Sequence, residues 1–111
     1  MFEERERGFE AKFQHDEALR FRVHARRNKL FGLWAAQKLR RAGTDAHRYA
    51  LDLVTDLGLQ RDEALLEKVS ADLRHEGSLL SDAEIATALS AAASRAAAIV
   101  LGRDAEARPA I

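Results

Sequence analysis

Apolar side chains recur at steps of three and four along most of the chain. The clearest run is Ala46, Tyr49, Ala50, Leu53, Val54 and Leu57, a spacing that gathers them on one side of a helix. Leu65, Leu66, Val69 and Leu73 make a second such face, and Ile85, Leu89, Ala92, Ala96, Ile99 and Val100 a third. Upstream, Leu19, Val23, Leu30, Phe31, Leu33 and Trp34 form a longer stripe, interrupted by the polar segment His24 to Lys29. No alternating β-branched run and no Asn-Gly or Asp-Gly turn suggests a strand. The pattern predicts an all-α, antiparallel four-helix bundle. Its expected core is Leu30, Leu33, Trp34, Tyr49, Leu53, Val54, Leu65, Val69, Leu73, Ile85, Leu89 and Ile99, with Trp34 as anchor.

Punctuation sets the boundaries. Gly43, Gly58, Gly77 and Gly102 each close an apolar-periodic stretch, as expected where a left-handed residue caps the last carbonyls of a helix. Thr44 reads as the N-cap of the second helix. Ser81 and Glu84 read as a capping box opening the fourth, with Leu80 and Ile85 as its hydrophobic staple. The helices are expected at about 15–41, 45–57, 61–76 and 82–101, within a bundle of residues 15–102 and followed by a disordered tail, 103–111. The first of them, at about 40 Å, is long enough for its opening turns to project beyond the bundle.

Residues 1–14 are expected to be a flexible arm. Seven of the first thirteen residues are charged, yet Phe2, Phe9 and Phe13 stand among them, three of only five phenylalanines in the chain. Their spacing of i, i+7 and i+11 lines them along one side of a helix. So little apolar surface cannot offset the ordering entropy of the segment on its own, and Gly8 weakens helix there by about 1 kcal/mol. Against a partner's groove the same segment could lay down its aromatics, with Glu3, Arg5, Glu6, Glu10 and Lys12 making charge pairs around them. From the residues alone, a frayed terminus whose phenylalanines dock back on the bundle stays open.

Composition narrows the chemistry. A chain of 111 residues makes one domain. There is no cysteine, which excludes disulfides, thiolate metal sites and thiol nucleophiles. His15, His24, His47 and His75 show no metal-ligand spacing, and neither a phosphate-cradling glycine loop nor a nucleophile elbow is present. Neither a catalytic residue nor a metal site is expected, and no cofactor is required. No apolar run approaches the roughly 20 residues of a membrane span and no signal peptide is visible, so neither export nor membrane insertion is expected. Net charge is zero but unevenly placed: residues 14–43 carry eight basic against two acidic side chains, +6, while residues 44–111 carry seven against twelve, −5. The economical account is internal, with the basic helix lying against Asp52, Asp56, Glu67 and Asp72. Nucleic-acid binding is not expected of a chain with zero net charge and a single Trp and Tyr. Arg26, Arg27 and Lys29, three cations in four positions, could hold a phosphate or bind adenine nucleotide weakly. A solvated or salt-bridged face is the more usual role of such a cluster.

Residues 9–39, FEAKFQHDEALRFRVHARRNKLFGLWAAQKL, resemble the zeta subunit of alphaproteobacterial F-type ATP synthase. Phe9, Glu10, Lys12, Phe13, His15, Asp16, Glu17, Leu19, Arg20 and Phe21 match the family's opening motif. Ala25 to Leu30 and Gly32 to Ala36 match its second. HRYA and KVSADL fit more loosely, and the alanine-rich fourth helix and RDAEARPAI depart from it. The resemblance implies a four-helix bundle that inhibits ATP hydrolysis. It implies an N-terminal segment, flexible when free, that wedges into the catalytic α/β interface near the central stalk and blocks reverse rotation. The partners it implies are the α and β subunits and the central stalk of the synthase. The protein would then be a monomer when free, cytoplasmic, and peripheral at the inner face of the membrane when bound. The alternative function is an adenine-nucleotide-sensing or other protein-binding helical module without inhibitory activity.

Overall fold

The computed structural model describes residues 2–107, with side chains from Arg5 onward. The side chains of Phe2 and Glu3, expected in the partner contact, and the tail beyond residue 107 lie outside the described part. Four helices make up the fold: α1, Phe2–Lys38; α2, Gly43–Leu57; α3, Asp62–His75; and α4, Asp82–Ala107. No strand occurs among the described residues. The all-α four-helix architecture read from the sequence is the one observed.

Helix α1 is the spine, packed along both α2 and α4, while α3 closes the far end mainly against α4. Phe31, Leu65, Val69, Leu73 and Ile85 are the large, fully enclosed side chains, joined by Leu53, Ala35 and Ala36. Seven of the twelve expected core residues are buried: Tyr49, Leu53, Leu65, Val69, Leu73, Ile85 and Leu89. Leu30, Leu33, Trp34, Val54 and Ile99 are only half-buried. Trp34 is therefore not the anchor. It lies at the core's edge, its ring stacked on Phe31 at 5.8 Å between centroids, and Phe31 holds the centre.

Gly32 sits where α1 and α2 come closest. A Cβ there would stand 2.8 Å from the Cα of Ala50 and 3.0 Å from its Cβ, closer than packed carbons tolerate. A glycine opposite an alanine lets the two backbones meet.

The helix ends depart from expectation in an instructive way. α3 closes on a Schellman motif: the Gly77 and Ser78 N–H groups donate to the Arg74 and Leu73 carbonyls at 3.0 and 2.9 Å, with Gly77 at φ +81°. α1 closes on the same motif with Arg40, at φ +62°, as its left-handed residue, while Gly43, also left-handed at φ +57°, is the first residue of α2. Arg40 and Arg41 donate to Gln37 and Ala36 at 3.0 and 2.9 Å. Gly58 is right-handed, and Gly102 lies inside α4, which runs on through residues expected in the tail. Thr44 caps nothing, because the N-cap position is Ala42, whose side chain offers no acceptor. Ser81 does cap α4, accepting the Glu84 N–H at 3.1 Å.

Holding a side chain in the left-handed region costs about 1–2 kcal/mol that glycine avoids. Arg40→Gly should therefore raise the unfolding free energy by about 1 kcal/mol, and Gly77→Ala should lower it by about as much. Urea unfolding of the two variants checks both signs. An Arg40→Gly protein less stable than the parent would mean that side-chain contacts of Arg40 outweigh its backbone strain.

Helix α4 also corrects the reading of apolar runs. By length and composition alone it is long and apolar enough to cross a membrane. Much of that apolar character comes from alanine, and Ala92 and Ala96, with Ile85, Leu89 and Val100, are buried in the bundle.

Candidate functional site

The two ends of α1 have different surroundings. The first buried position among the described side chains is Leu19. One turn before it, His15 is half-buried, with Nε2 3.2–3.3 Å from the Asp104 carboxylate near the end of α4. Among the side chains described N-terminal to His15, every one is exposed. The expected start of the helix near residue 15 is thus the point where α1 leaves the bundle. The helix itself continues back to Phe2, since nothing in this polar segment breaks it. The described fold measures 63 × 26 × 22 Å, with a radius of gyration of 17.5 Å. A compact domain of this length would have about 13 Å.

Phe9 and Phe13, one turn apart on the projecting part, are 81% and 66% exposed. Phe13 and Phe31 are 18 residues apart, about five turns, and so lie on the same side of α1. The aromatic stripe of the arm prolongs the face that the bundle covers further along. Arg5, Glu6, Glu10 and Lys12 surround it, exposed, and none of the ion pairs found among the described residues involves them.

The three cations of the expected phosphate cluster part company. The Arg27 side chain, 14% exposed, makes a two-pronged pair with Asp62 at the start of α3, at 2.7 and 3.0 Å. Its Nε and Nη2 also donate to Oδ1 of Asn28, itself 1% exposed. One turn back, the His24 Nε2–H donates to the Gly58 carbonyl at 3.2 Å. His24, Arg27 and Asn28 together fasten the α2–α3 connection to α1, which explains the polar interruption in the apolar stripe. Arg26 and Lys29 point elsewhere, into a groove between α1, α2 and α4.

The acidic partners of α1 differ from those expected. Asp62, not Asp52, Asp56 or Glu67, takes the arginine. Asp72 accepts from the Tyr49 hydroxyl at 2.8 Å and from Lys68 at 3.0 Å. Arg41 stacks over the Tyr49 ring at 5.1 Å. Burial of Tyr49, together with its hydrogen bond to Asp72, holds the phenol protonated far above its ordinary range.

The hydrogen bond from Arg27 holds the Asp62 carboxyl below its usual value. A depressed folded-state pKa stabilises the fold above the ordinary carboxylate pKa of about 4, and that stabilisation is lost as pH falls through the folded value. Asp62→Asn should therefore flatten the acid limb of the stability–pH curve below about pH 4. Melting temperatures of parent and variant from pH 7 to 2 provide the check. An unchanged acid limb would show that the pair contributes nothing.

No group of three or more His, Asp or Glu able to hold a metal ion occurs among the described residues. Compared with known proteins, residues 1–98 match the family model described as ATPase inhibitor subunit zeta. No curated protein and no solved structure matches.

Proposed function

The chain belongs to the family of ATPase inhibitor zeta subunits, and from that premise we propose that its N-terminal segment, residues 1–14, is the part that inhibits. The segment inserts into the catalytic α/β interface of the F-type ATP synthase, near the central stalk, and blocks reverse rotation. The observation that carries this reading is the projecting stretch of α1, with Phe9 and Phe13 bare on one side of it. Aromatic anchors in a solvent-exposed, charge-flanked helix suit burial in a partner's groove. Phe2 and Glu3 extend the stripe and its charged flank in sequence, and Arg5, Glu6, Glu10 and Lys12 supply charge pairs at the rim. The bundle carries the arm and takes no part in chemistry. When free it is a monomer in the cytoplasm, and on the synthase it is peripheral at the inner face of the membrane. An adenine-nucleotide site on Arg26, Arg27 and Lys29 draws less support, since Arg27 is committed to Asp62. The direct test is ATP hydrolysis by the cognate synthase, assayed with full-length protein and with a chain starting at Leu19. Equal inhibition by both would move the active surface to the bundle.

A further inference from the structure

The groove that receives Arg26 and Lys29 lies on the opposite side of α1 from Arg27. Its volume is about 450 Å³. Its floor is apolar, built from Ala25, Ala50, Val54 and Val100, with Ala50 and Val100 themselves buried. Phe21 and Leu51, 65% and 64% exposed, stand at its walls. The rim is cationic: Arg22, Arg26 and Lys29 from α1 face Arg103 of α4, with His47 nearby. No acidic side chain lines it among the described residues. None of these four cations appears in an ion pair among the described residues.

We propose that this groove is a second docking surface, for an acidic amphipathic helix of a protein partner. Three features of the groove select that occupant. Unpaired cations with no carboxylate among them call for negative charge. Their arrangement is a row, Arg22, Arg26 and Lys29 falling about one per turn along α1, which matches carboxylates spaced one per turn on a neighbouring helix. A single phosphate would need the cations to converge on one point. The apolar floor is recessed between three helices, so it receives a convex ridge of side chains, as a helix offers, whereas a flat bilayer surface would meet only Phe21 and Leu51 at the walls. The partner's apolar ridge would cover Phe21 and Leu51, and its flanking Glu or Asp would meet the rim.

This inference does not depend on the inhibitory role of the arm, and its test needs no ATP synthase. The probe is a fluorescent 19-residue helical peptide with leucine on one face and glutamate on both flanks, alongside a control with lysine replacing every glutamate. Binding to the full-length protein is followed by anisotropy, and the contact surface by amide chemical-shift mapping. The glutamate peptide should bind, weaken as salt is raised, and shift amides of Phe21–Lys29, Leu51 and Arg103. Arg22→Glu/Arg26→Glu/Lys29→Glu should raise its Kd at least tenfold, and Leu51→Glu, a single exposed change, should weaken it independently. Equal affinity for the two peptides, or an unaltered Kd in both variants, would overturn the proposal. So would sedimentation of the protein with phosphatidylglycerol vesicles, lost on charge reversal, at concentrations where the peptide does not bind. That last outcome would assign the groove to a membrane surface.

Discussion

A chain lacking residues 1–14 should leave ATP hydrolysis by the synthase uninhibited while melting within a degree or two of the full-length protein. Both halves of that expectation follow from where burial begins. Among the described side chains of α1 the first enclosed one is Leu19, and none before His15 packs on the bundle. Removing the arm subtracts little buried area, so little stability goes with it. Binding is another matter, because Phe9 and Phe13 are the largest apolar groups the arm presents in the described part. Buried aromatic anchors each contribute about 2 kcal/mol or more at an interface. Phe9→Ala with Phe13→Ala should therefore raise the concentration for half-inhibition on the order of a hundredfold or more.

Reversing Glu6 or Glu10 should act mainly on association rate and its salt dependence. Gly8 gives a further handle on the bound conformation. A Cβ at Gly8 meets nothing within 4 Å, so Gly8→Ala favours helix by about 1 kcal/mol at no steric cost. If the arm binds as a helix, that variant should inhibit up to about fivefold more strongly. A Gly8→Ala protein that inhibits less would mean that the bound arm bends at that residue.

The bundle was legible where one face of a helix meets one core. In α2, α3 and α4 the apolar positions repeat without interruption, and their observed limits fall close to those expected except at the end of α4. Helix α1 was harder, because it does three jobs in succession: a bare arm, a polar clamp on the α2–α3 connection, and a core helix. Periodicity sees only the third. The pairing of Arg27 with Asp62 joins residues 35 positions apart, a separation no local pattern encodes. Three cations within four positions look alike in sequence, although the helix turns Arg27 to one side and Arg26 and Lys29 to another. Arg40 in the left-handed cap was likewise hidden, since Gly43, three residues on, carries the usual signal. The aromatic arm was conspicuous for the opposite reason: phenylalanines among so many charges cannot make a core within so short a segment, so they call for a surface to dock on.

Replacing Phe31 should do more damage than replacing Trp34, although tryptophan is the larger residue. Phe31 is wholly inaccessible and lies in the central cluster that includes Leu53, Leu65, Val69 and Ile85. Its removal opens a cavity that helices held together at Gly32 and Ala50 cannot easily collapse. The expected cost of Phe31→Ala is about 3–5 kcal/mol, a large share of the 5–15 kcal/mol by which domains are ordinarily stable. Trp34 is half-buried at the cluster's edge and contributes one stacked contact with Phe31. Losing that stack and part of its burial should cost about 2 kcal/mol. Urea unfolding followed by helical circular dichroism treats both variants alike. Trp34, the only tryptophan, also reports on Phe31→Ala directly, because loss of its stacking partner should alter its emission even in the folded state. If Trp34→Ala proved the more destabilising of the two, the core would centre on the indole, and the two aromatic residues would exchange their assigned roles.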